Sequence, residues 1–402
     1  MKSEWKTSPL RDLVGFISKG IAPSYADEES ETTVRVLNQK CNRNFRITYS
    51  ESRLHDLSRK KVPTERFVRI DDILINSTGA GTAGRIAQIC NLPCDTIVDG
   101  HMIIIRANNK VSQKYLGYAM KAHQWEVLQL DEGSTGQTEL NRERLLDEIM
   151  ISYPTSFALQ ETIVKTLEGI DRKLLINEKV NDNLQQQAEL LYHERFETAD
   201  RSNLPVGWRI VRLGDVATIS KKSFNPAKEP EMLLEHYSIP AFDEAHFPVF
   251  ELSTAIKSNK FVVDNTCFMI SKLNPTTKRV WKPYCLTENA VCSTEFIVYK
   301  ANRQEITDFL YSVIDSSSFS DFMCSHVTGS TGSRQRTTPS DTLAFELILP
   351  TAEEIAEYQG IVSPMFEQIK CNAIENDELK RLRDSLLPKL MSGEIDVSSI
   401  QL

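Results

Sequence analysis

Two long stretches of the chain carry apolar residues at the spacing of an α-helix that packs along one seam. In the first stretch the seam positions alternate by four and three residues, a heptad pattern held for four repeats. These positions are Ile163, Leu167, Ile170, Leu174, Asn177, Asn181, Leu184, Ala188 and Leu191. In the second stretch they are Val362, Phe366, Ile369, Ala373 and Asn376, followed by a shift of phase towards Leu379, Leu382 and Leu386. The pattern predicts two helices of about 30 residues, each roughly 45 Å long.

The two seams cover each other most simply as an antiparallel coiled coil within one chain. Asn177 and Asn376 fall at equivalent seam positions, and a buried asparagine there fixes the register of a coiled coil at some cost in stability. We favour a structural spacer over any ligand role for these helices. A second, compatible interpretation is that the helix pair also sets the distance between the globular parts of the chain.

Shorter apolar runs rich in branched residues predict strands, separated by clusters of glycine, proline and asparagine. The runs are 73–75 and 102–105 in the first half, and 267–270 and 295–299 in the second. Helices are predicted at 116–130 and 306–314. The predicted fold class is α+β, with two pseudo-symmetric mixed α/β domains separated by two long antiparallel helices. The predicted segments are domain 1 at 1–155, a helical spacer at 156–200, domain 2 at 201–350 and a second helical spacer at 351–402.

The two halves are also related by direct repetition. Trp5-Lys6 with Leu10-x-Asp12 returns as Trp208-Arg209 with Leu213-x-Asp215, an offset of 203 residues. Gly133-Ser134-Thr135-Gly136 returns as Gly329-Ser330-Thr331-Gly332, and Gln160 returns as Gln359. Because these offsets are close to half of the 402 residues, the repeat fills the chain. Such a chain presents two similar but unequal surfaces, which suits a two-part target such as duplex nucleic acid.

The net charge of −8 does not suit a general nucleic-acid coat, but the acidic residues are concentrated in the predicted helices. Residues 156–200 hold 9 acids and 5 bases, and residues 351–402 hold 10 acids and 5 bases. These two segments together carry −9, so the remainder of the chain carries +1. The predicted α/β domains are therefore near neutral and have room for local basic patches.

Several classes of protein are excluded by what the sequence lacks. No apolar run approaches the ~18 residues that span a bilayer, so no membrane association is expected. The N-terminal Met1-Lys2-Ser3-Glu4-Trp5 has no apolar signal core, which predicts a cytoplasmic protein. The cysteines form no Cys-x-x-Cys pair and the histidines no His-x-x-x-His pattern, so no metal site is predicted. No nucleophile elbow, Walker lysine loop or Asn/Asp-Pro-Pro-Tyr sequence occurs, and no catalytic residue is assigned.

One loop matches the dinucleotide fingerprint G-x-G-x-x-G, at Gly79-Ala80-Gly81-Thr82-Ala83-Gly84 after a predicted strand. The fingerprint requires a helix next, but the segment that follows is short and ends at Pro93. The corresponding segment of the second half, 271–280, has no glycine and is basic. A turn between two strands is therefore the preferred interpretation, and the difference between the copies marks two diverging recognition surfaces.

Basic and polar residues on the loops of both halves are the candidates for contact with DNA. A solvated face is the commonest role of such clusters, but their recurrence on loops of near-neutral domains favours phosphate or base contact. The candidates are Lys60, Lys61, Thr78, Thr82, Arg85, Lys221, Lys222, Lys272, Lys278, Arg279, Lys282, Arg334 and Arg336. Trp281 is expected either to stack on a nucleotide or to belong to the core.

These features together resemble the specificity subunit of type I restriction–modification enzymes. Four stretches carry the resemblance, in an order that is partly duplicated. They are Gly207-Trp208 with Leu213-Gly214-Asp215-Val216; Asp72-Ile73-Leu74-Ile75 leading into the glycine loop; Gly133-Ser134-Thr135-Gly136-Gln137 through Leu140, then Ile149 to Pro154 and Gln160; and Leu386-Leu387-Pro388-Lys389-Leu390-Met391-Ser392-Gly393-Glu394-Ile395. The first copy departs from the second by having Arg11 in place of Gly214.

The resemblance implies that each α/β domain is a target recognition domain that reads one half of a split, asymmetric double-stranded DNA sequence. It implies that two methyltransferase subunits flank the helices, that restriction (motor-nuclease) subunits join them, and that S-adenosylmethionine and ATP bind to those partners. The chain itself would bind no cofactor. Two alternatives stay open: a methyltransferase with fused recognition domains, and a coiled-coil structural adaptor.

Overall fold

In a computed structural model, the structure describes residues 4–79, 81–132, 139–328 and 335–397. The chain divides into two units. Unit 1 holds Met1–Arg172 and Lys380–Leu402, and unit 2 holds Lys173–Leu379. Each unit therefore contains one α/β part and a portion of both long helices. Among the described residues, no helix combines the length and the apolarity that crossing a bilayer requires.

Unit 1 is built on two four-stranded sheets. Its strands are β1 (Trp5–Pro9), β2 (Val14–Lys19), β3 (Tyr25–Ala26), β4 (Thr33–Leu37), β5 (Asn42–Arg43), β6 (Arg46–Ile47), β7 (Arg53–Asp56), β8 (Ile73–Asn76), β9 (Ile86–Gln88), β10 (Thr96–Val98), β11 (Met102–Ala107), β12 (Asp131–Glu132), β13 (Glu139–Leu140) and β14 (Met150–Pro154). Its short helices are α1 (Gln113–Ala122), α2 (Gln124–Val127) and α3 (Arg142–Glu148). The first sheet has the order β2-β11-β8-β9 with all neighbours antiparallel, and the second has the order β10-β4-β7-β3 with β10 and β4 parallel.

The first long helix, α4 (Phe157–Tyr192), begins in unit 1 and ends in unit 2, where a π-helical turn covers His193–Glu197. Unit 2 then repeats the order of unit 1. Its strands are β15 (Arg209–Arg212), β16 (Ala217–Ser220), β17 (Ser223–Phe224), β18 (Leu233–Tyr237), β19 (Val249–Leu252), β20 (Lys260–Val262), β21 (Cys267–Ser271), β22 (Val280–Trp281), β23 (Ala290–Ser293), β24 (Phe296–Ala301), β25 (Val327–Thr328), β26 (Arg336–Thr337) and β27 (Glu346–Leu349). Its short helices are α5 (Leu213–Val216), α6 (Ile239–Ala245), α7 (Thr307–Asp315) and α8 (Ser317–Ser325), and the second long helix is α9 (Ala352–Ser392).

The repeat found in the sequence is a repeat of sheet topology. The order β16-β24-β21-β22 in unit 2 matches β2-β11-β8-β9 in unit 1, strand for strand. The second sheet of unit 2, β17-β20-β23-β18-β19, also keeps one parallel pair, formed by β18 and β23. The predicted α+β fold class with two related domains and two long helices is confirmed. The helix predicted at 116–130 is interrupted at His123, which separates α1 from α2.

The repeated glutamines attach the α/β part of each unit to its long helix. In unit 1 the side-chain oxygen of Gln160 accepts a hydrogen bond of 2.8 Å from the backbone N–H of Ser112, the residue before α1. In unit 2 the side-chain oxygen of Gln359 accepts bonds of 3.1 Å from the N–H groups of Asp308 and Phe309 in the first turn of α7. Both side chains thus satisfy backbone donors at a helix N-terminus, which the helix itself leaves without a partner.

The long helices contribute their seams to the core of each unit. In unit 1, Ile163, Leu167, Leu387 and Leu390 pack with the β2-β11-β8-β9 sheet and α1. In unit 2, residues of both helices pack in the same way on the β16-β24-β21-β22 sheet and α7. These residues are Ala188, Tyr192, Ile355, Tyr358, Val362 and Phe366. The seam is therefore a structural element that each α/β part needs in order to bury its own sheet.

Within unit 2 the helices run antiparallel. Asn177 donates to Asn376 at 2.9 Å, and Asn372 donates to Asn181 at 2.8 Å, so the numbers rise along one helix as they fall along the other. Lys173 adds an ion pair of 3.0 Å with Glu375. Both Asn177 and Asn376 are buried, as the seam predicted.

The remaining seam residues support the predicted phase with one exception. Ile163, Leu167, Leu174, Val362 and Phe366 are buried, and Ile170 and Ile369 are partly buried. The predicted shift of phase after Asn376 is wrong, because Leu382 is exposed while Leu387 and Leu390 are buried. The heptad continues instead through Arg383, whose side chain is only 13% exposed and pairs with Asp171 at 3.1 Å within unit 1. The predicted shift followed the apolar residues Leu379, Leu382 and Leu386, but the carboxylate of Asp171 allows an arginine to lie in the seam. Both helices are also longer than predicted, with 36 and 41 residues.

Candidate nucleic-acid interface

The two loops that diverge in sequence occupy the same place in the two units. The glycine loop follows β8 and precedes β9, which pair as an antiparallel hairpin, and the basic loop connects β21 and β22 in the same way. Asn76 N–H donates to the Arg85 carbonyl at 2.9 Å, and Ser271 N–H donates to the Arg279 carbonyl at 2.9 Å. Arg85 and Arg279 are therefore equivalent residues. The interpretation of a turn between two strands is confirmed for both loops.

A second short hairpin lies against each loop. In unit 1, Thr78 forms a β-bridge with Glu139 on β13, and Leu140 N–H donates to the Ser77 carbonyl at 2.8 Å. In unit 2 the same arrangement joins the basic loop to β26. Leu273 bridges Arg336, and Thr337 N–H donates to the Lys272 carbonyl at 3.1 Å. We call each pair of a divergent loop and its neighbouring strand a loop face: 77–85 with 139–140 in unit 1, and 272–279 with 336–337 in unit 2. The repeated Gly-Ser-Thr-Gly sequences and Arg334 lie outside the described residues.

The glycines of the fingerprint serve backbone geometry. Gly84 has φ +86°, and a Cβ there would lie 2.9 Å from the carbonyl oxygen of Val127 in α2. Gln124 of α2 fixes this approach by accepting a bond of 2.8 Å from Ile86 N–H and donating one of 2.7 Å to the Gly84 carbonyl. Since β9 rather than a helix follows the loop, there is no helix N-terminus to receive a pyrophosphate. A dinucleotide site is therefore not supported.

Three of the unit 1 candidates lie on its loop face. Thr78 Oγ1 shares a hydrogen bond of 2.7 Å with His101 Nδ1, and Thr82 Oγ1 donates to the Thr78 carbonyl at 3.4 Å. The guanidinium of Arg85 donates to the Gly81 carbonyl at 3.3 Å, and its other donors have no partner among the residues that the structure describes. The structure therefore brings these polar groups together on a short, braced loop.

Lys60 and Lys61 lie elsewhere in unit 1, after β7 of the second sheet. The ammonium of Lys60 donates to the Ala22 carbonyl at 2.7 Å. Lys61 is exposed and forms no ion pair within the described residues. These two lysines are not part of the loop face.

In unit 2, Lys278 is held inside a network of acids. Its ammonium lies 3.1 Å from a Glu189 carboxylate oxygen and 3.2 Å from one of Asp315. Burial raises the pKa of Asp315 to about 6, against the opposing charge of Lys278. Burial alone would lower the pKa of Lys278, but the charges of Asp315 and Glu189 outweigh it and the net shift is upward. The ammonium of Lys278 is thus committed to contacts that tie the basic loop to α7 and α4.

Arg279 and Lys282 are also paired with acids. Arg279 donates to both carboxylate oxygens of Asp243 at 2.6 and 2.9 Å, and its side chain is only 13% exposed. Lys282 lies 2.5 Å from Asp308 and above the ring of Phe366. DNA contact by Arg279 and Lys278 stays a prediction. Such a contact would use N–H groups that the neighbouring carboxylates leave free, or DNA would have to compete with those carboxylates.

Trp281 is 3% exposed and packs edge-on against Tyr237 at 4.8 Å between ring centroids. Of the two expected roles, the structure therefore supports the core. The remaining candidates, Lys221, Lys222 and Lys272, form no ion pair within the described residues; the first two are exposed and Lys272 is partly exposed on the loop itself.

The sequence analysis selected Arg336 but missed Glu139, its counterpart in unit 1, and the partners of both, Glu295 and Lys19. Arg336 donates through Nε and Nη2 to both oxygens of Glu295, each at 3.0 Å, and these bonds lower the pKa of the Glu295 carboxyl. In unit 1 the equivalent Glu139 pairs with Lys19. The sequence did contain a signal for this pair. Glu139 follows the first Gly-Ser-Thr-Gly copy at nearly the same distance at which Arg336 follows the second.

The two α/β units therefore share one topological frame and differ in the chemistry of their loop faces. The chain matches the family model for the type I restriction modification DNA specificity domain over residues 2–186. The type I restriction enzyme MjaIX specificity subunit of Methanocaldococcus jannaschii is 25% identical over 435 residues, which cover 99% of this chain and 95% of that protein. The HindI specificity subunit of Haemophilus influenzae is 34% identical over 92 residues, covering 23% of this chain and 20% of that protein.

The fold is shared with a solved structure. The crystal structure of the type I restriction–modification S subunit from M. genitalium has a TM-score of 0.59 at 14% identity, covering 99% of this chain and 98% of that chain. The chain is thus similar to type I restriction–modification specificity subunits over nearly its whole length, and its first half matches the model of their DNA specificity domain.

Proposed function

We propose that this chain recognises a two-part, asymmetric sequence in double-stranded DNA, with one part read by the α/β portion of each unit. We further propose that its helices hold two methyltransferase subunits, and that restriction subunits join the same complex. The resemblance to specificity subunits supports both statements, and the structure adds physical arguments for each.

The observation that carries the proposal is the equivalence of the two loop faces. The backbone bridges at Thr78–Glu139 and Leu273–Arg336 hold both faces in the same frame. The side chains on that frame differ in charge and in donor–acceptor character. Because base pairs are distinguished by their donor and acceptor patterns, a common frame with different side chains suits two different DNA sequences.

The surface of α4 supports the scaffold role. Within unit 2, Leu175, Ile176 and Val180 are 43%, 48% and 37% exposed on this helix. Apolar side chains grouped in this way favour a protein partner. The acidic character of the helices makes them a poor surface for DNA and leaves them available to other subunits.

We assign no catalytic residue and no cofactor to the chain. S-adenosylmethionine and ATP are proposed to bind to the methyltransferase and restriction subunits. The complex is proposed to act on DNA in the cytoplasm.

The proposal is tested by mapping methylated bases in the DNA of cells that express the methyltransferase subunit with and without this chain. A defined two-part motif that requires the chain is the expected result. Methylation by the chain alone would favour the fused methyltransferase. Methylation that needs the partner but shows no sequence preference would favour the structural adaptor.

A further inference from the structure

One strand position carries opposite charges in the two units. It is occupied by Glu139 on β13 and by Arg336 on β26, and both are β-bridged to the divergent loop beside them. The next residues, Leu140 and Thr337, are buried at 2% and 1% exposure. Since side chains alternate along a strand, Glu139 and Arg336 point away from the core. Their side chains are 57% and 44% exposed.

Each of these side chains is oriented by an opposite charge and keeps free hydrogen-bonding groups. Glu295 occupies Nε and one Nη2 hydrogen of Arg336, which leaves three of the five guanidinium N–H groups without a partner among the described residues. Two of these three form the outer Nη1–Nη2 edge. Lys19 contacts Oε1 of Glu139, and Oε2 has no partner in the described parts of the chain. A side chain fixed by a neighbour loses less conformational entropy when it binds a base, so both are prepared for recognition.

We propose that this shared position reads a base in each half of the target, with Arg336 donating to guanine and Glu139 accepting from the exocyclic amino group of cytosine or adenine. The proposal rests on the proposed function of the chain. An arginine edge with two parallel N–H groups matches the O6 and N7 acceptors of guanine in the major groove. A carboxylate oxygen matches an amino group and is repelled by the acceptors of guanine.

The surroundings of Glu139 are shaped for such a contact. An open cleft of about 480 Å³ is lined by Lys19, Glu139, Leu140, Asn141 and Arg142. Lys19 and Arg142 place two positive charges beside Glu139 in this cleft, which would offset the repulsion between Glu139 and DNA phosphates.

The test is the methylation motif of the assembled complex, compared between the full-length chain and its variants. Arg336→Ala should relax one guanine position in one half of the motif, by on the order of 5- to 150-fold in relative methylation rate, and leave the other half unchanged. Arg336→Lys should relax the same position, because lysine keeps the charge but lacks the paired donors. Arg303→Ala, at an exposed arginine of unit 2 that is loosely paired with Glu305, is the matched control and should change nothing.

Glu139→Gln should change one position in the other half of the motif. If that position is a cytosine, the preference should shift towards adenine, which glutamine binds through both its oxygen and its nitrogen. If it is already an adenine, Glu139→Gln should keep the preference and Glu139→Ala should relax it, because alanine offers the amino group no acceptor. Glu148→Gln, an exposed glutamate of the same unit paired with Arg144, is the matched control.

Three results would overturn the proposal while leaving the proposed function intact. One is a two-part wild-type motif that has no guanine in the half read by unit 2. Another is an unchanged motif in Arg336→Ala and in Glu139→Ala. The third is an even loss of affinity across all sequences with a salt dependence reduced by about one, which indicates phosphate contact. If the wild-type complex has no motif at all, the proposed function itself fails.

Discussion

The side-chain amide of Asn177 donates a hydrogen bond of 2.9 Å to the side-chain oxygen of Asn376, inside the seam between the two long helices of unit 2. Asn177 also donates to Glu375 at 2.6 Å, so its amide hydrogens are both used. The two asparagines are related by the internal repeat, and the antiparallel arrangement places them opposite each other. Any shift of register would separate them and leave buried amides without partners.

Asn177→Ala should therefore destabilise the protein by about 1–3 kcal/mol, since it leaves the buried amide of Asn376 unpaired. The double variant Asn177→Leu with Asn376→Leu should recover most of this loss, because it replaces both polar groups with apolar ones. The urea concentration at half-unfolding measures both effects. A double variant that is less stable than the single one would contradict this account of the pair.

Arg383→Ala should also destabilise, because it leaves the partly buried Asp171 with fewer partners. Asp171 would keep the hydroxyl of Tyr118 at 2.9 Å and the ammonium of Lys121 at 3.6 Å. Since Asp171 is 29% exposed, we expect a loss of about 1–3 kcal/mol, below the range for a fully buried pair. Lys389→Ala, at an exposed position of the same helix, is the control. Equal urea midpoints for the two variants would show that Arg383 is not a seam residue.

Asp315 should make stability depend on pH between about 4 and 7. Its folded-state pKa of about 6 lies above the ordinary value of 3.8, because burial disfavours the charged carboxylate. The fold therefore favours the protonated form, and the stability contributed by Asp315 is present below pH 4 and lost as the pH rises through 6. The loss is on the order of 2–3 kcal/mol.

Asp315→Asn should remove the pH-dependent part of the stability that Asp315 contributes. The asparagine side-chain oxygen can still accept a hydrogen bond from Lys278. The free energy of unfolding is measured at pH 4 and pH 7 for the wild-type protein and for Asp315→Asn. Because the other groups titrate equally in both proteins, the difference between their pH dependences is the contribution of Asp315. The same pH dependence in both proteins would contradict the assignment.

The sequence was most informative where the physical signal is periodic. The heptad spacing located the helices and paired Asn177 with Asn376, because a seam residue is determined by local spacing alone. The heptad prediction was wrong after Asn376, where it followed the leucines, because the distant partner Asp171 that lets Arg383 lie in the seam is not visible in the sequence. For the same reason the sequence did not show that Asp243 holds Arg279, or that Glu295 holds Arg336. Those partners lie 36 and 41 residues away, and only the fold brings them together.

The long helices should set the spacing of the two halves of the DNA target. One heptad added to both helices, after Arg172 in α4 and after Leu379 in α9, keeps the phase of the seam and lengthens each helix by about 10 Å. The unspecified stretch between the half-sites should then grow by about three base pairs, at ~3.4 Å for each. Both half-sites should keep their sequences. An unchanged stretch in the methylation map would leave the helices as spacers without this measuring role.

The central claim is that each α/β part reads its own half of the target. It is tested most directly by replacing residues 10–150 with the matching segment of a relative of different specificity and mapping methylated bases in cells that carry the methyltransferase subunit. The account predicts that one half of the motif changes to that of the relative, while the other half and the spacing between them stay as they were. A change in both halves, or in neither, would contradict it.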